Sequence, residues 1–156
     1  MPLAPLAVRS CGMAAFVAGA AFAAPDLFIA DSAPLAPGRM EIVVREVERR
    51  PRISIVQVEI TKVGSSVGSS FFILCSVRQL AKARGATPHI AKIDLPGKGS
   101  RMAVGLLSGP GEPPAALGAE FAVEGAKIDV MDLERFAPIC DGAGRPAKPS
   151  PERTTP

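Results

Sequence analysis

The sequence predicts an α+β domain: an antiparallel or mixed sheet in the order β-β-α-β-β-β, covered on one face by one long helix and closed by a short C-terminal helix. Three observations carry this. Runs with a period of two recur through the middle of the chain. One run among them switches to the helical period. Gly/Pro clusters, not further helices, separate the remaining strands. A doubly wound nucleotide fold would alternate strands with helices, and this order excludes it.

The elements follow in order. Residues 40–48 (MEIVVREVE) are rich in β-branched side chains, and the interruption by Arg45 and Glu46 suits a strand at an edge. Residues 53–62 (ISIVQVEITK) are the clearest strand. Val56, Val58 and Ile60 point one way and Gln57, Glu59 and Thr61 the other, which describes a sheet with one buried face and one wet face. On that reading Glu41, Glu46, Glu48 and Glu59 form a charged, solvated face. The basic knot 48–52 (ERRPR) is a solvated turn between the two strands.

Residues 66–84 (SVGSSFFILCSVRQLAKAR) change to spacings of three and four, with Val67, Phe71, Leu74, Val77 and Ala81 as the buried stripe. Ser69, Ser76 and Gln79 fall opposite, and Phe72 lies on that polar side, to be covered by a loop. Ser65 or Ser66 supplies the N-terminal cap, and Gly85 with Pro88 stops the helix. A strand at 89–95 places Ala91, Ile93 and Leu95 on one face. The cluster 96–100 turns the chain into a hairpin partner at 101–107. After the Pro-rich loop 109–118 come two short strands at 120–124 and 127–131, or one strand broken at Gly125. Asp132 then caps a last turn carrying Leu133 and Phe136, ending at Pro138.

Composition bounds the rest. The 156 residues allow one modest domain with tails, whereas a barrel of alternating strands and helices needs roughly 250. Residues 1–23 read as a cleaved secretory signal: Arg9 is the only charged side chain, residues 11–22 are apolar, and Ala21 and Ala23 frame a cleavage site. Cys11 precedes the apolar run, so the sequence carries no lipidation box. Residues 24–39 read as a linker, 40–140 as a single domain, and 141–156, with four prolines and no large apolar side chain, as a disordered tail.

Removing the first 23 of 156 residues leaves 133, and loss of Arg9 lowers the formal charge from +3 to +2. Such a chain lacks the clustered Lys and Arg of a nucleic-acid binder. It also retains no integral membrane segment once the signal is cleaved. Cysteines 75 and 140 survive cleavage, and in an oxidising compartment an even pair is a disulfide candidate.

One motif attracts attention. Gly64-Ser65-Ser66-Val67-Gly68 matches the G-x-S-x-G pattern of a nucleophile elbow and sits between a strand and a helix. A hydrolase would use Ser66 with His89 as base, but no acid lies between them and no oxyanion segment is present. As a turn, the same stretch offers ligand-binding candidates in Gly64, Ser65, Ser66, Gly68 and Ser69, at a helix entry of the kind that holds anions. The spacing fits neither the dinucleotide nor the P-loop fingerprint. A single His, with no close Cys partner, supports no metal site, and nothing in the sequence points to a cofactor.

The stretch VEITKVGSSVGSSFFILCSVRQLAKARGATPHIAKI, with Ala81-Lys82-Ala83-Arg84-Gly85 ending the helix and a cysteine in the closing segment at 133–140, resembles small uncharacterised exported or lipoprotein-type bacterial proteins. The resemblance implies a cell-envelope location, periplasmic or exported, and no catalytic residue. The expected function is a non-catalytic binding module for a protein or envelope component. A small-ligand or anion binder using the 64–70 loop, and a serine hydrolase using Ser66, are the alternatives. Fractionation of the native host with N-terminal sequencing checks the export reading: the mature chain is expected outside the cytoplasm beginning at Ala24. A cytoplasmic chain beginning at Met1 would overturn it.

Overall fold

The computed structural model describes residues 26–97 and 100–142; the expected signal, residues 1–23, and all but two residues of the expected tail, 141–156, lie outside them. The fold is α+β. Six antiparallel strands form one sheet: β1 (Ile29–Asp31), β2 (Glu41–Arg49), β3 (Ile53–Lys62), β4 (His89–Leu95), β5 (Ser100–Leu106) and β6 (Ile128–Asp132), in the spatial order β1-β2-β3-β5-β4-β6. Helix α1 (Ser66–Ala83) packs on one face, and a short helix α2 (Ala137–Gly142) closes the described chain.

Segment 24–39 is more than a linker. Ile29–Asp31 pairs with Val43–Arg45 of β2, so β2 is an internal strand and β1 takes the edge. Ser32 extends the junction: its Oγ accepts from Ile42 N at 2.8 Å and donates to Met40 O at 3.2 Å.

The main core lies between the sheet and α1. Ile42, Val44, Val56, Val58, Ile90 and Val104 meet Val77, Leu80 and Ala81 of the helix. The expected stripe holds at Leu74, Val77 and Ala81 but not at Val67 and Phe71, where the buried face turns toward Ser69 and Phe72. The buried face of the helix runs through Ser69, Ser76, Val77, Leu80 and Ala81, Phe72 packs against the core, and Val67 is 63% exposed. The physical reason is that Phe71-Phe72-Ile73-Leu74-Cys75 is apolar on every side, so the period does not fix the phase. The small hydroxyls of Ser69 and Ser76 let the helix approach the strands. Ser76 Oγ is satisfied within the helix by donating to Phe72 O at 2.8 Å.

The opposite face is not left wet. Ile53, Ile55, Ala91, Ala103 and Leu107 form a second core with Phe121, flanked by Ile93, Leu95 and Leu117. The cover is the segment predicted to begin a strand at 120. Residues Pro114–Leu117 and Ala119–Phe121 form two 3-10 turns instead, joined at Gly118 with φ at +152°. Pro113 and Pro114 withhold ladder donors, and the Gly118 turn drops Phe121 onto the sheet. Gly105 is where it lands. A side chain there would overlap Leu117 and the Phe121 ring. Of the two stretches expected as strands only the second forms, as β6, so neither expected alternative is met. Asp132 Oδ1 then accepts from Glu134 N at 3.0 Å, and the chain continues through Pro138 into α2, where proline occupies the first turn without losing a helical bond.

Glu46 departs most from its expected place. Its side chain is buried on the helix side, not on a wet face. The register shift between Glu46 and Glu48 inserts Val47 as an extra residue, so Arg49 shares the face of Glu46. Arg49 Nε donates to Glu46 Oε1 at 3.0 Å, Ser54 Oγ to the same oxygen at 2.7 Å, and Phe28 N to Oε2 at 3.1 Å. Arg84, at the C-terminal end of α1, donates to Ser54 Oγ at 2.6 Å, to Arg50 O at 2.6 Å and to Pro51 O at 2.8 Å. The basic knot is thus a hairpin capped from the helix end.

Burial raises the Glu46 pKa, but the hydrogen bonds from Arg49, Ser54 and Phe28 N outweigh it and hold the pKa below its ordinary 4.5. A carboxylate depressed on folding contributes stability that is complete above the unfolded value and is lost as the pH falls through the folded one. Glu46→Ala is expected to cost about 3–5 kcal/mol at neutral pH, because it strands buried cations. Glu46→Gln is expected to flatten the loss of stability in the acid range below pH 4.5 relative to the parent. Urea unfolding across that range measures both. An unchanged acid limb in the glutamine variant would remove Glu46 as the titrating group.

Candidate functional site

The G-x-S-x-G turn is built for a helix start. Ser65 is the N-cap of α1, and its Oγ accepts from Gly68 N at 3.0 Å. Gly68 is glycine because a Cβ would sit 2.9 Å from that same oxygen. Gly64 is glycine because a Cβ would meet the Arg39 carbonyl oxygen at 2.9 Å. Ser66 is the exposed first residue of the helix, and its carbonyl accepts from Ser70 Oγ at 2.9 Å. Ser69 turns inward, its hydroxyl 3.8 Å from Met40 Sδ.

The serine and histidine of the hydrolase reading do not meet. His89 opens β4, just beyond the C-terminal end of α1, where its carbonyl accepts from Leu107 N at 3.0 Å. Ser66 lies at the other end of an 18-residue helix, about 27 Å long. The five candidate residues therefore come together as a turn and a cap, and His89 is not part of the constellation. Among the described residues there is no cluster of three or more His, Cys, Asp or Glu able to hold a metal. Among the same residues no helix is long and apolar enough to cross a membrane.

Cys75 and Cys140 lie at disulfide distance, with Cα atoms 5.3 Å apart and a sequence separation of 65. Closing a loop of that size stabilises by about 4 kcal/mol in the chain-entropy account. The bond ties α2 to the outer side of α1. Arg78 reinforces the junction: its Nη1 donates to Asp141 Oδ1 at 2.8 Å, and its Nη2 donates to Glu134 at 3.3 Å. Arg78 holds the Asp141 carboxyl below its ordinary range, against a smaller opposing effect of burial. Asp141 and Gly142 thereby belong to the folded domain, not to a tail.

This junction makes a groove that no single sequence segment announces. The 33–40 loop, the outer face of α1 and α2 enclose a cavity of about 420 Å³ lined by Leu35, Met40, Phe71, Phe72 and Ile139, with the cysteine pair in its wall. Leu35 is 60% exposed and Ile139 42%. The groove shares Ala36, Met40 and Gly68 with a second hollow of about 540 Å³, bordered by Arg39, Lys62, Val63, Gly64 and Ser65. Lys62 Nζ donates to the Gly38 carbonyl. Sequence reasoning reached the Gly64–Gly68 rim and missed the groove. The available signal was Phe71, which the helical period assigned to the core.

No protein-family model matches the chain, no curated protein matches it, and no solved structure matches it.

The cap assignment separates the two serines. Ser65→Ala is expected to lower stability by about 1 kcal/mol, the usual cost of losing an N-cap oxygen. Ser66→Ala is expected to stay within about 0.5 kcal/mol of the parent. Chemical denaturation of the two variants checks this, and equal effects would refute the assignment.

Proposed function

We propose that the chain is an exported, non-catalytic binding module of a bacterial cell envelope, and that it engages its partner, a protein or envelope component, through the groove beside α1. The observation that carries the reading is the groove itself. It is an apolar channel open along the helix, with exposed Leu35 and Ile139 at its lips. Its 420 Å³ lies within the range of about 300–1,000 Å³ found for ligand sites.

Two further features support it. A cysteine pair at bonding distance suits an oxidising compartment, in keeping with the apolar N-terminal run and the resemblance to small exported proteins. The groups that a reaction would recruit have structural occupations: Ser65 caps α1, Ser69 faces Met40, and the Glu46 carboxylate is engaged at both oxygens. The reading as a small-ligand or anion binder is favoured by one specific observation, the position of Arg39 and Lys62 beside the Gly64–Ser65 turn.

Site-specific photocrosslinking in the native host tests the reading. With benzoylphenylalanine replacing Phe71 in the groove, an adduct to an envelope constituent is expected. With the same residue replacing Gln57, on the sheet face away from α1, none is expected. Absence of adducts at both positions, or equal adducts, would refute the groove as the binding face.

A further inference from the structure

The two hollows are one surface with a chemical gradient. At the α2 end the walls are mostly hydrocarbon and sulfur, Ile139, Phe71, Phe72 and the cysteine pair, with Ser76 and Gln79 as the polar side chains among them. At the other end, past Met40 and Gly68, the border carries two cations, Arg39 and Lys62, both exposed. Among the described residues neither has an ion-pair partner within 4.0 Å, whereas Arg45, Arg49, Arg50, Arg52, Arg78 and Arg84 each have one. Among the described residues no acidic side chain lines either hollow, the nearest in register being Glu41, opposite Lys62 on β2.

An occupant that satisfies both ends needs an apolar body and an anionic head. The apolar part gains about 25 cal/mol for each Å² removed from water. The head meets positive charge at the mouth, where solvent still reaches it, so its desolvation cost stays small. A purely inorganic anion leaves the apolar channel unfilled. A cationic amphiphile fills the channel and sets its head against Arg39 and Lys62. We infer that the groove binds the acyl chain of a carboxylate amphiphile, a free fatty acid, with its tail along α1 toward Ile139 and its head between Arg39 and Lys62. This rests on the groove being the binding face, as proposed above, and it names the ligand class.

The experiment is isothermal titration of the full chain with sodium dodecanoate below its micelle concentration. Dodecyltrimethylammonium serves as the tail with the opposite head, and acetate as the head without a tail. One dodecanoate is expected per chain, with dodecyltrimethylammonium about tenfold weaker or more and acetate showing no heat of binding. The double variant Arg39→Glu/Lys62→Glu is expected to weaken dodecanoate about tenfold, the sum of two exposed charge interactions. Leu35→Asp, an exposed loop substitution that spares the core, is expected to weaken both tailed probes alike.

Far-UV circular dichroism confirms that each variant is folded before titration. Equal binding of both tailed probes, binding unmoved by either variant, or no dodecanoate binding would overturn the inference. If crosslinking from position 71 still captures an envelope protein while dodecanoate does not bind, the groove is a protein-docking face. The ligand class then fails and the functional reading stands. Failure of both experiments removes both.

Discussion

The buried carboxylate of Glu46 is the point at which the segment leading into β1, two strands and the end of α1 converge. It receives hydrogen bonds from the backbone of the segment leading into β1, from Arg49 on its own strand and from Ser54 on β3, while Ser54 in turn receives one from Arg84 at the end of α1. Two strands, a helix end and an edge segment thus share one charged centre. A charge removed from water is tolerated only when its partners are fixed. The hairpin turn at Arg50-Pro51 is drawn into the same arrangement, because Arg84 takes up both of its carbonyls.

This centre explains where the sequence was legible and where it was not. The strands β2 to β5 and the helix were readable because their side-chain periods are strong. The expected ends of α1 agree with the structure because Ser65 and Gly85 carry unambiguous cap chemistry, Gly85 adopting φ of +62°. Glu46 was misread because an alternating pattern assigns a glutamate to water. The bulge at Val47 that brings Arg49 to its side leaves no trace in local periodicity. Strand β1 is three residues long and depends on pairing with β2, so its own residues could not declare it. Phe121 belonged to an apparent strand of alternating residues until the prolines and Gly118 turned it onto Gly105, a contact between segments that only tertiary structure defines.

The same division applies to the site. Gly64, Ser65 and Gly68 were visible as a turn, and each has a steric or capping reason to be what it is. The groove next to them was not visible, because its walls come from residues 35–40, 68–79 and 139–140. Val67 and Phe71 fit the helical stripe well enough to be assigned to the interior. They lie toward the outside because Ser69 and Ser76, small and polar, take the face that approaches the strands. Polar residues can line a helix interface when their hydroxyls bond within the helix, and a wheel drawn from hydropathy places them on the wrong side.

The bond between Cys75 and Cys140 has a topological consequence. It encloses β4, β5, β6 and the loop that carries Phe121 in a covalent ring, while β1, β2 and β3 remain on an open chain threaded beside it. Because β5 lies between β3 and β4, the ring and the open chain share one strand ladder, β3 with β5, in the middle of the sheet. Its second cysteine lies after β6, so the ring closes only once all six described strands have been synthesised. Backbone cleavage in the loop between β5 and β6 leaves the two pieces joined, and α2 stays seated against α1 without a continuous chain to hold it there.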